Sequence, residues 1–304
     1  MKKNILVIGS LNADISISMK KMPIIGETVF GESIKYNNGG KGANQACAIG
    51  KLGGNIEMLG CIGEDDLGNN QILNLNKFNI KTTNLKKQKE KPTGTAVIYV
   101  DENGKNSIVV IPGANNLCDI NYLKDKEECL TKADFIVLQL EIPIEAVQYA
   151  VKKGKELGKT IILNPAPAPE EISEDILKNI DYFTPNESEL QRLAKLDKME
   201  SIEDIKKGAL FFIDKGVKNV MVTLGENGVL LVNKNGTQHF PAYKVKAIDT
   251  TAAGDCFNGA FVVGLSEGKT IEDSIVFANK ASSIAVTRKG AQDSIPSRDE
   301  VEKI

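Results

Sequence analysis

Short, unbroken apolar runs alternate along this chain with longer stretches in which apolar residues return every three or four positions. Asn4–Ile8, Phe135–Leu140, Thr160–Leu163 and Val220–Leu224 are runs of the first kind, joined by Ile56–Cys61, Tyr182–Thr184 and Val229–Val232. They lack the polar alternation of a half-exposed strand, so they predict strands covered on both faces in a parallel sheet. Helical spacing follows Gly39 to about Leu52, spans Asn69–Phe78 and Ile271–Val286, and links Phe257, Ala260, Phe261, Gly264 and Leu265. The alternation predicts an α/β fold, a predominantly parallel central sheet with helices on both faces. Four strands break that rhythm: Ile15–Met19, Val29–Tyr36, Thr95–Val100 and Ser107–Ile111, the last two flanking the hairpin signal Asp101-Glu102-Asn103-Gly104. They predict a small β-sheet formed by 14–38 and 93–112, inserted in a single domain of 1–304. With apolar residues on more than one face, that sheet needs a cover or a pairing partner.

Function in such sheets gathers at the carboxyl ends of the strands. Asn12 and Asp14 follow the first strand, two residues apart, so extended backbone points both side chains the same way. They face a ligand, or close the strand as an Asx turn. Gly39-Gly40-Lys41-Gly42-Ala43-Asn44 opens a helix; its bare glycines admit a ligand to the backbone, with Lys41 and Asn44 as further donors. A tight turn would use the same glycines, and the spacing is not that of a P-loop. In Asp249–Ala260 a loop becomes a helix near Gly254, and the small residues Ala252, Ala253 and Gly254 leave backbone amides open to an anion. Asp255 beside them suits a base that meets a hydroxyl proton while the amides hold a phosphoryl group. An acidic residue in a first helical turn also serves the dipole alone. Asn186-x-x-Glu189 has capping-box spacing, Thr223–Gly228 reads as a hairpin turn, and Gly63–Gly68 as an acidic helix cap.

The balance of 38 basic and 40 acidic residues, net charge −2, gives no reason to expect nucleic acid or an anionic membrane as partner. The apolar run in Met1–Gly9 is too short for a signal peptide, no segment reaches transmembrane length, and five cysteines form no CxxC pair. A cytoplasmic protein with reduced thiols is expected. The single His239, in a polar strand-like stretch, argues against a histidine triad or zinc site.

The run Asp249–Ala260 also resembles the DTxxAGDxFxGA motif of the PfkB carbohydrate kinases. The resemblance extends, in the family's order, to Gly9–Asp14, Gly39–Ala46, Thr184–Glu189 and Ala285–Gln292, and so covers nearly the whole chain. It implies a Rossmann-like core whose small β-sheet is a lid over a sugar and pairs with its copy in a homodimer. It implies ATP-dependent phosphorylation of a small sugar, D-ribose at O5, with Asp255 as general base and the amides of Ala252, Ala253 and Gly254 as anion hole. Asn12, Ala13, Asp14, Gly40, Lys41, Gly42, Ala43, Asn44 and Glu141 would hold the sugar. Asn186, Thr223, Leu224, Gly225, Glu226, Asn227, Gly228, Gly254 and Asn279 would hold ATP. A monovalent cation, K⁺, would sit among Asp249, Thr251, Ala285, Arg288, Gly290 and Ser294, and Mg²⁺ would accompany the phosphates with Glu189 acting indirectly. The alternatives are a family kinase for another polyol or a nucleoside, and a non-catalytic sugar-binding regulator on the same fold. Asp255 argues against the regulator, since binding alone needs no base.

Overall fold

A computed structural model describes residues 2–304. Strand β1 (Asn4–Ile8) leads into β2 (Asn12–Met19) and β3 (Gly31–Gly39), then α1 (Lys41–Lys51), β4 (Asn55–Leu59), β5 (Cys61–Gly63) and α2 (Asp66–Asn76). Next come β6 (Lys86–Gln88), β7 (Gly94–Val100), β8 (Asn106–Ile111), α3 (Ile120–Asp125), α4 (Glu127–Lys132), β9 (Phe135–Leu138) and α5 (Ile144–Glu156). After β10 (Thr160–Leu163) and α6 (Glu174–Leu177) follow β11 (Tyr182–Phe183), α7 (Glu187–Leu193), α8 (Ile202–Asp214) and β12 (Asn219–Thr223). The chain ends through β13 (Val229–Asn233), β14 (Gly236–Phe240), α9 (Ala253–Ser266), α10 (Ile271–Ala285) and α11 (Arg298–Glu302).

Eight strands form the central sheet in the order β14-β13-β12-β11-β10-β9-β1-β4. All neighbours from β4 to β12 pair in parallel, and β13 and β14 close the edge antiparallel. Side chains on each strand alternate between two buried clusters, one per face: Leu6, Ile8, Ile136, Leu138, Ile161 and Leu163 on one, Ile5, Val7, Phe135, Val137 and Ile162 on the other. Both faces are apolar because both are covered, and each such side chain stabilises the fold by roughly 1.5–3 kcal/mol.

Helix α9 is buried along its whole length after the first two residues, and it packs against both α1 and α10. Its close approach to α1 depends on Gly259. A Cβ there would lie 2.5 Å from the Ala48 Cβ and 2.9 Å from the Gln45 carbonyl oxygen. A real Cβ essentially never comes that close to another heavy atom, so a glycine is what lets the two helices approach here.

The smaller sheet runs β3-β2-β7-β8, with β2 and β7 parallel and the outer pairs antiparallel. Every residue of β8 is exposed, as are Ile34 and Tyr36 on β3. β2 begins earlier than expected, at Asn12, and β3 runs on to Gly39 but starts only at Gly31, after the expected Val29 and Phe30. The expected strand Ile56–Cys61 is broken at Gly60: β4 stops at Leu59, and Cys61 starts a separate two-stranded sheet with β6. A Cβ at Gly60 would come 2.6 Å from the Gly9 carbonyl oxygen, so the chain crosses the end of β1 there and leaves the sheet. Likewise Phe135–Leu140 pairs only to Leu138. Apolar periodicity does not predict β6, β14 or α11, which are short and polar, although Ser297 and Glu300 form a capping box at α11. No described helix is long and apolar enough to cross a membrane, and all five cysteines are free and buried.

Candidate active site

The carboxyl ends of β1, β9, β10 and β11 converge with the first turns of α1 and α9. Asp255 stands at the centre, only 6 % exposed. Its Oδ2 accepts from Asn44 Nδ2 at 2.9 Å and its Oδ1 from Gln45 Nε2 at 3.0 Å. Burial raises its pKa above the ordinary carboxylate value, while Lys41 and the two amide donors pull it down and Glu141 pushes it further up. The first turn of α9 is entered through Ala252, held at φ 57°, ψ 14° in the left-handed region. That turn directs the Ala253 amide back onto the Thr250 carbonyl at 3.2 Å. Among the described residues the amides of Gly254 and Asp255 have no protein acceptor, and a Cβ placed on Gly254 would meet nothing within 4 Å. Bare donors thus face open space at the positive end of a 14-residue helix, a few atoms from a buried carboxylate.

Helix α1 is built differently. Its N-cap, Gly40, is at φ 87° and carries no capping side chain. Glu141 takes that role from across the sheet: its Oε2 accepts from the Lys41 amide at 3.0 Å and from Ser10 Oγ at 2.5 Å. The Gly42 amide donates to Ser10 Oγ, the Ala43 amide to the Ser10 carbonyl and the Asn44 amide to the Gly40 carbonyl. The amides of Lys41, Gly42, Ala43 and Asn44 are therefore all engaged within the protein. What this helix offers a ligand is side chains. The ammonium of Lys41 stays charged, its pKa raised on balance: burial opposes the charge, but Asp255, Glu141, Glu189 and Asp14 all favour it.

Asn12 and Asp14 point to the same side of β2. Asn12 accepts from Asn115 Nδ2 at 2.7 Å through its Oδ1, and its carbonyl accepts from Gln71 Nε2. Asp14 lies over Gly39, where any Cβ would collide with its carboxylate. Burial first, then Glu141 and Asp255, push the Asp14 pKa up to about 7 against the pull of Lys41. Ala13 projects to the opposite face, into a groove with Tyr36 and Leu73, and the Ala43 side chain packs in the core. Neither side chain joins the polar cluster.

Asn186 and Glu189 form a full capping box on α7: Asn186 Oδ1 accepts from the Glu189 amide at 2.8 Å, and Glu189 Oε2 accepts from the Asn186 amide at 2.9 Å. Burial raises the Glu189 pKa. A carboxylate so engaged suits an indirect part in magnesium binding better than a direct ligand bond. Thr223 bridges to Asn186 in parallel, and Gly225–Asn227 forms a short 3₁₀ turn between Leu224 and Gly228. The turn is braced by His239, whose Nε2 lies 2.7 Å from the Asn227 carbonyl oxygen. Asn279, on α10, donates to the Pro241 carbonyl at 3.3 Å.

Asp249 ties two loops together. Its Oδ1 accepts from the Thr251 amide and hydroxyl at 2.9 and 2.6 Å, and its Oδ2 from the Gly290 amide at 2.9 Å. Arg288 is paired through its side chain with Glu300, so only its carbonyl is left for a cation; Ser294 Oγ is buried and donates to the Ala291 carbonyl. These are carbonyl, hydroxyl and carboxylate oxygens, a donor set that fits a hard monovalent cation. Among the described residues no cluster of three or more His, Cys, Asp or Glu is arranged to hold a metal.

Sequence reading did not single out Ser10, Gln45, Gln139, Asn164, Thr184 or Asn258, which complete the hydrogen bonding around Asp255 and the start of α1. All are buried polar residues at strand ends or on the site-facing side of a helix. Buried polar side chains in otherwise apolar runs were the available signal.

The family profile described as pfkB family carbohydrate kinase matches residues 2–298. A ribokinase from Haemophilus influenzae is 39 % identical over 300 residues, covering 99 % of this chain and 97 % of that protein. A deoxyribokinase from Salmonella typhimurium is 38 % identical over 294 residues, covering 97 % and 96 %. The solved structure of an Arabidopsis thaliana ribokinase complexed with ribose and ATP superposes with a TM-score of 0.94 at 33 % identity, over 100 % of this chain and 98 % of that one.

Proposed function

The chain belongs to the pfkB family of carbohydrate kinases, and from that premise we propose that it catalyses ATP-dependent phosphorylation of D-ribose at O5, giving ribose 5-phosphate. The observation that carries the reading is Asp255, buried and held by two amide donors beside the bare amides of α9. The sugar's primary alcohol lies toward Asp255, which takes its proton as the phosphoryl group transfers. A loose transition state needs little ionisation of the alcohol, so the proton leaves late, and burial raises the carboxylate's pKa, which makes it a stronger proton acceptor. The Gly254 amide, helped by the helix dipole, holds charge on the transferring group. Lys41, close enough to raise its own pKa through Asp255, adds positive charge to the same space. Asn12, Asp14 and the free oxygen of Glu141 grip the secondary hydroxyls, and the Asn186 and Thr223–Gly228 segments line the nucleotide side. Mg²⁺ would accompany the phosphates with Glu189 acting indirectly, and K⁺ would be held by oxygen donors beside Asp249; each would offset negative charge.

The exposed apolar residues Ile34, Tyr36, Ile108 and Val110 support the smaller sheet as a lid that pairs with a second copy, and five buried free thiols suit a cytoplasmic location. The Salmonella relative makes 2-deoxyribose the competing substrate, and overall identity does not separate the two sugars. The polar grip favours ribose, because each lost hydroxyl leaves a buried group unpaired at roughly 1–3 kcal/mol. The test is ADP release with ribose, 2-deoxyribose, a hexose and adenosine, in K⁺ and in Li⁺ at fixed ionic strength. Ribose should have the highest kcat/KM and K⁺ should support the faster rate. Preference for 2-deoxyribose or adenosine would move the protein elsewhere in the family.

A further inference from the structure

Behind Asp255 runs a continuous chain of buried amides. Gln139 Nε2 donates to Gln45 Oε1 at 2.7 Å, and Gln45 Nε2 donates both to Asp255 Oδ1 at 3.0 Å and to Asn164 Oδ1 at 3.2 Å. Asn164 Nδ2 donates to the Thr184 carbonyl at 2.9 Å, Thr184 Oγ1 donates to Asn258 Oδ1 at 2.6 Å, and Asn258 Nδ2 returns to the Gly254 carbonyl at 2.8 Å. Gln45, Gln139, Asn164, Thr184 and Asn258 are all buried. They come from α1, from the ends of β9, β10 and β11, and from α9, so every element that frames the site except β1 contributes a link.

Each link fixes the next. The Thr184 carbonyl can only accept, so Asn164 must present its oxygen to Gln45. Asp255 and the Asn164 oxygen can only accept, so the Gln45 nitrogen must face them, both of its hydrogens are used, and its oxygen takes the Gln139 donor. Flipping the Gln45 amide would set its oxygen against the carboxylate and leave a buried acceptor without a donor. We infer that Gln45 is a positioning residue of the kinase reaction: its amide, locked by Gln139 and Asn164, sets the carboxylate plane of Asp255 and keeps Asp255 ionised to receive the hydroxyl proton. A neutral donor suits this task because it orients the base without neutralising it. Asn44 holds the other oxygen. The charged groups that face Asp255 are Lys41, which favours ionisation, and Glu141, Asp14 and Glu189, which act against it or feel it in turn.

The inference rests on Asp255 being the base, and three variants separate the two ideas. In Gln45→Met the shape is nearly kept and the donor lost. Its kcat should fall about 10- to 100-fold, the effect of one hydrogen bond to a charged group, while ribose KM changes little. The acidic limb of its kcat–pH profile should move to higher pH, because the ionised form has lost a donor. Gln139→Leu, which only frees the Gln45 amide to turn, should move the limb in the same direction by less, and it serves as the test where Gln45→Met does not fold. A merely structural role would lower the melting temperature and leave the limb in place. That result, or an unchanged kcat, overturns the inference provided Asp255→Asn is inactive. An active Asp255→Asn overturns the base assignment itself.

Discussion

Helix α1 begins with its amides occupied; helix α9 begins with two of them bare. Both starts are rich in glycine and alanine and both lie at the carboxyl end of the sheet. At α1, Glu141 and Ser10 supply acceptors from distant parts of the chain, so the positive end of the helix is neutralised. At α9 nothing lies within 4 Å of the place a Gly254 Cβ would take, and among the described residues the Gly254 and Asp255 amides have no acceptor. One helix start is thereby closed by the protein itself, and the other leaves two donors bare. The difference lies in which helix start the fold fills.

If α9 is the reacting end, Asp255→Asn should have the largest effect of any single change. Loss of a general base typically lowers the rate about 10²- to 10⁴-fold. The Asn44 and Gln45 donors would face an amide in place of a carboxylate, so ATP binding and melting temperature should be measured alongside. A folded, nucleotide-binding variant with near-normal kcat would refute the assignment and reopen a sugar-binding regulator. Next in size is Gly254→Val. Its side chain enters open space, so the fold should keep its stability while the anion site fills. Turnover should drop about 10²-fold, as for a misplaced reacting group. A stable variant with unchanged turnover would show that the phosphoryl group passes elsewhere.

Gly259→Ala tests whether the two helix starts act as a pair. The added methyl meets Ala48 and the Gln45 backbone, and overpacking of this kind costs about 1–3 kcal/mol. A lower melting temperature and a reduced kcat should appear together, since displacing α1 draws Asn44 and Gln45 away from Asp255. A fall in stability with kcat intact would uncouple packing from catalysis. Glu141→Gln acts on the filled helix start alone. Replacing a charged cap with a neutral one should cost about 0.3–1 kcal/mol and raise ribose KM more than it lowers kcat. A change confined to kcat would place Glu141 at the reacting end instead.

The central sheet was legible because its strands carry unbroken apolar runs, and Asp255 because small residues and an acid meet at a helix start. The capping of α7 by Asn186 and Glu189 was equally local. The filling of α1 was not legible, since Ser10, Lys41 and Glu141 meet only when β1, α1 and the end of β9 are side by side. The same holds for Gln45, Gln139 and Asn164, which nothing in a linear pattern links to Asp255. Five of the expected site residues gather their side chains around Asp255 or are that residue, namely Asp14, Lys41, Asn44, Glu141 and Asp255; Asn12 is held by Asn115, and Ala13 and Ala43 direct theirs elsewhere. Small residues in a motif carry backbone geometry, and a sequence does not say which amide another segment will already have claimed.

The smallest predicted effect concerns pH and the clamp end of the site. Asp14 has its pKa pushed up to about 7, chiefly by burial and then by Glu141 and Asp255. A raised carboxylate pKa means that the folded protein holds a proton which the unfolded chain releases at lower pH. Its contribution to stability is therefore present below the ordinary carboxylate value and declines as pH rises toward about 7. Ionised, however, Asp14 can only accept, and it can take two sugar hydroxyls at once. Ribose should bind the ionised form better, so ribose KM should fall a few-fold between pH 6 and pH 8 and level off above, as expected for a group titrating near 7. The apo protein should lose a little stability over the same range. Asp14→Asn should flatten both dependences while leaving in place the pH profile of kcat, which the proposed mechanism assigns to Asp255. Calorimetric titration of ribose into the protein at pH 6, 7 and 8 measures the first effect without turnover. Affinity that is independent of pH in the native protein, or equally dependent on it in Asp14→Asn, would remove Asp14 from the sugar grip and leave the clamp to Asn12, Lys41 and Glu141.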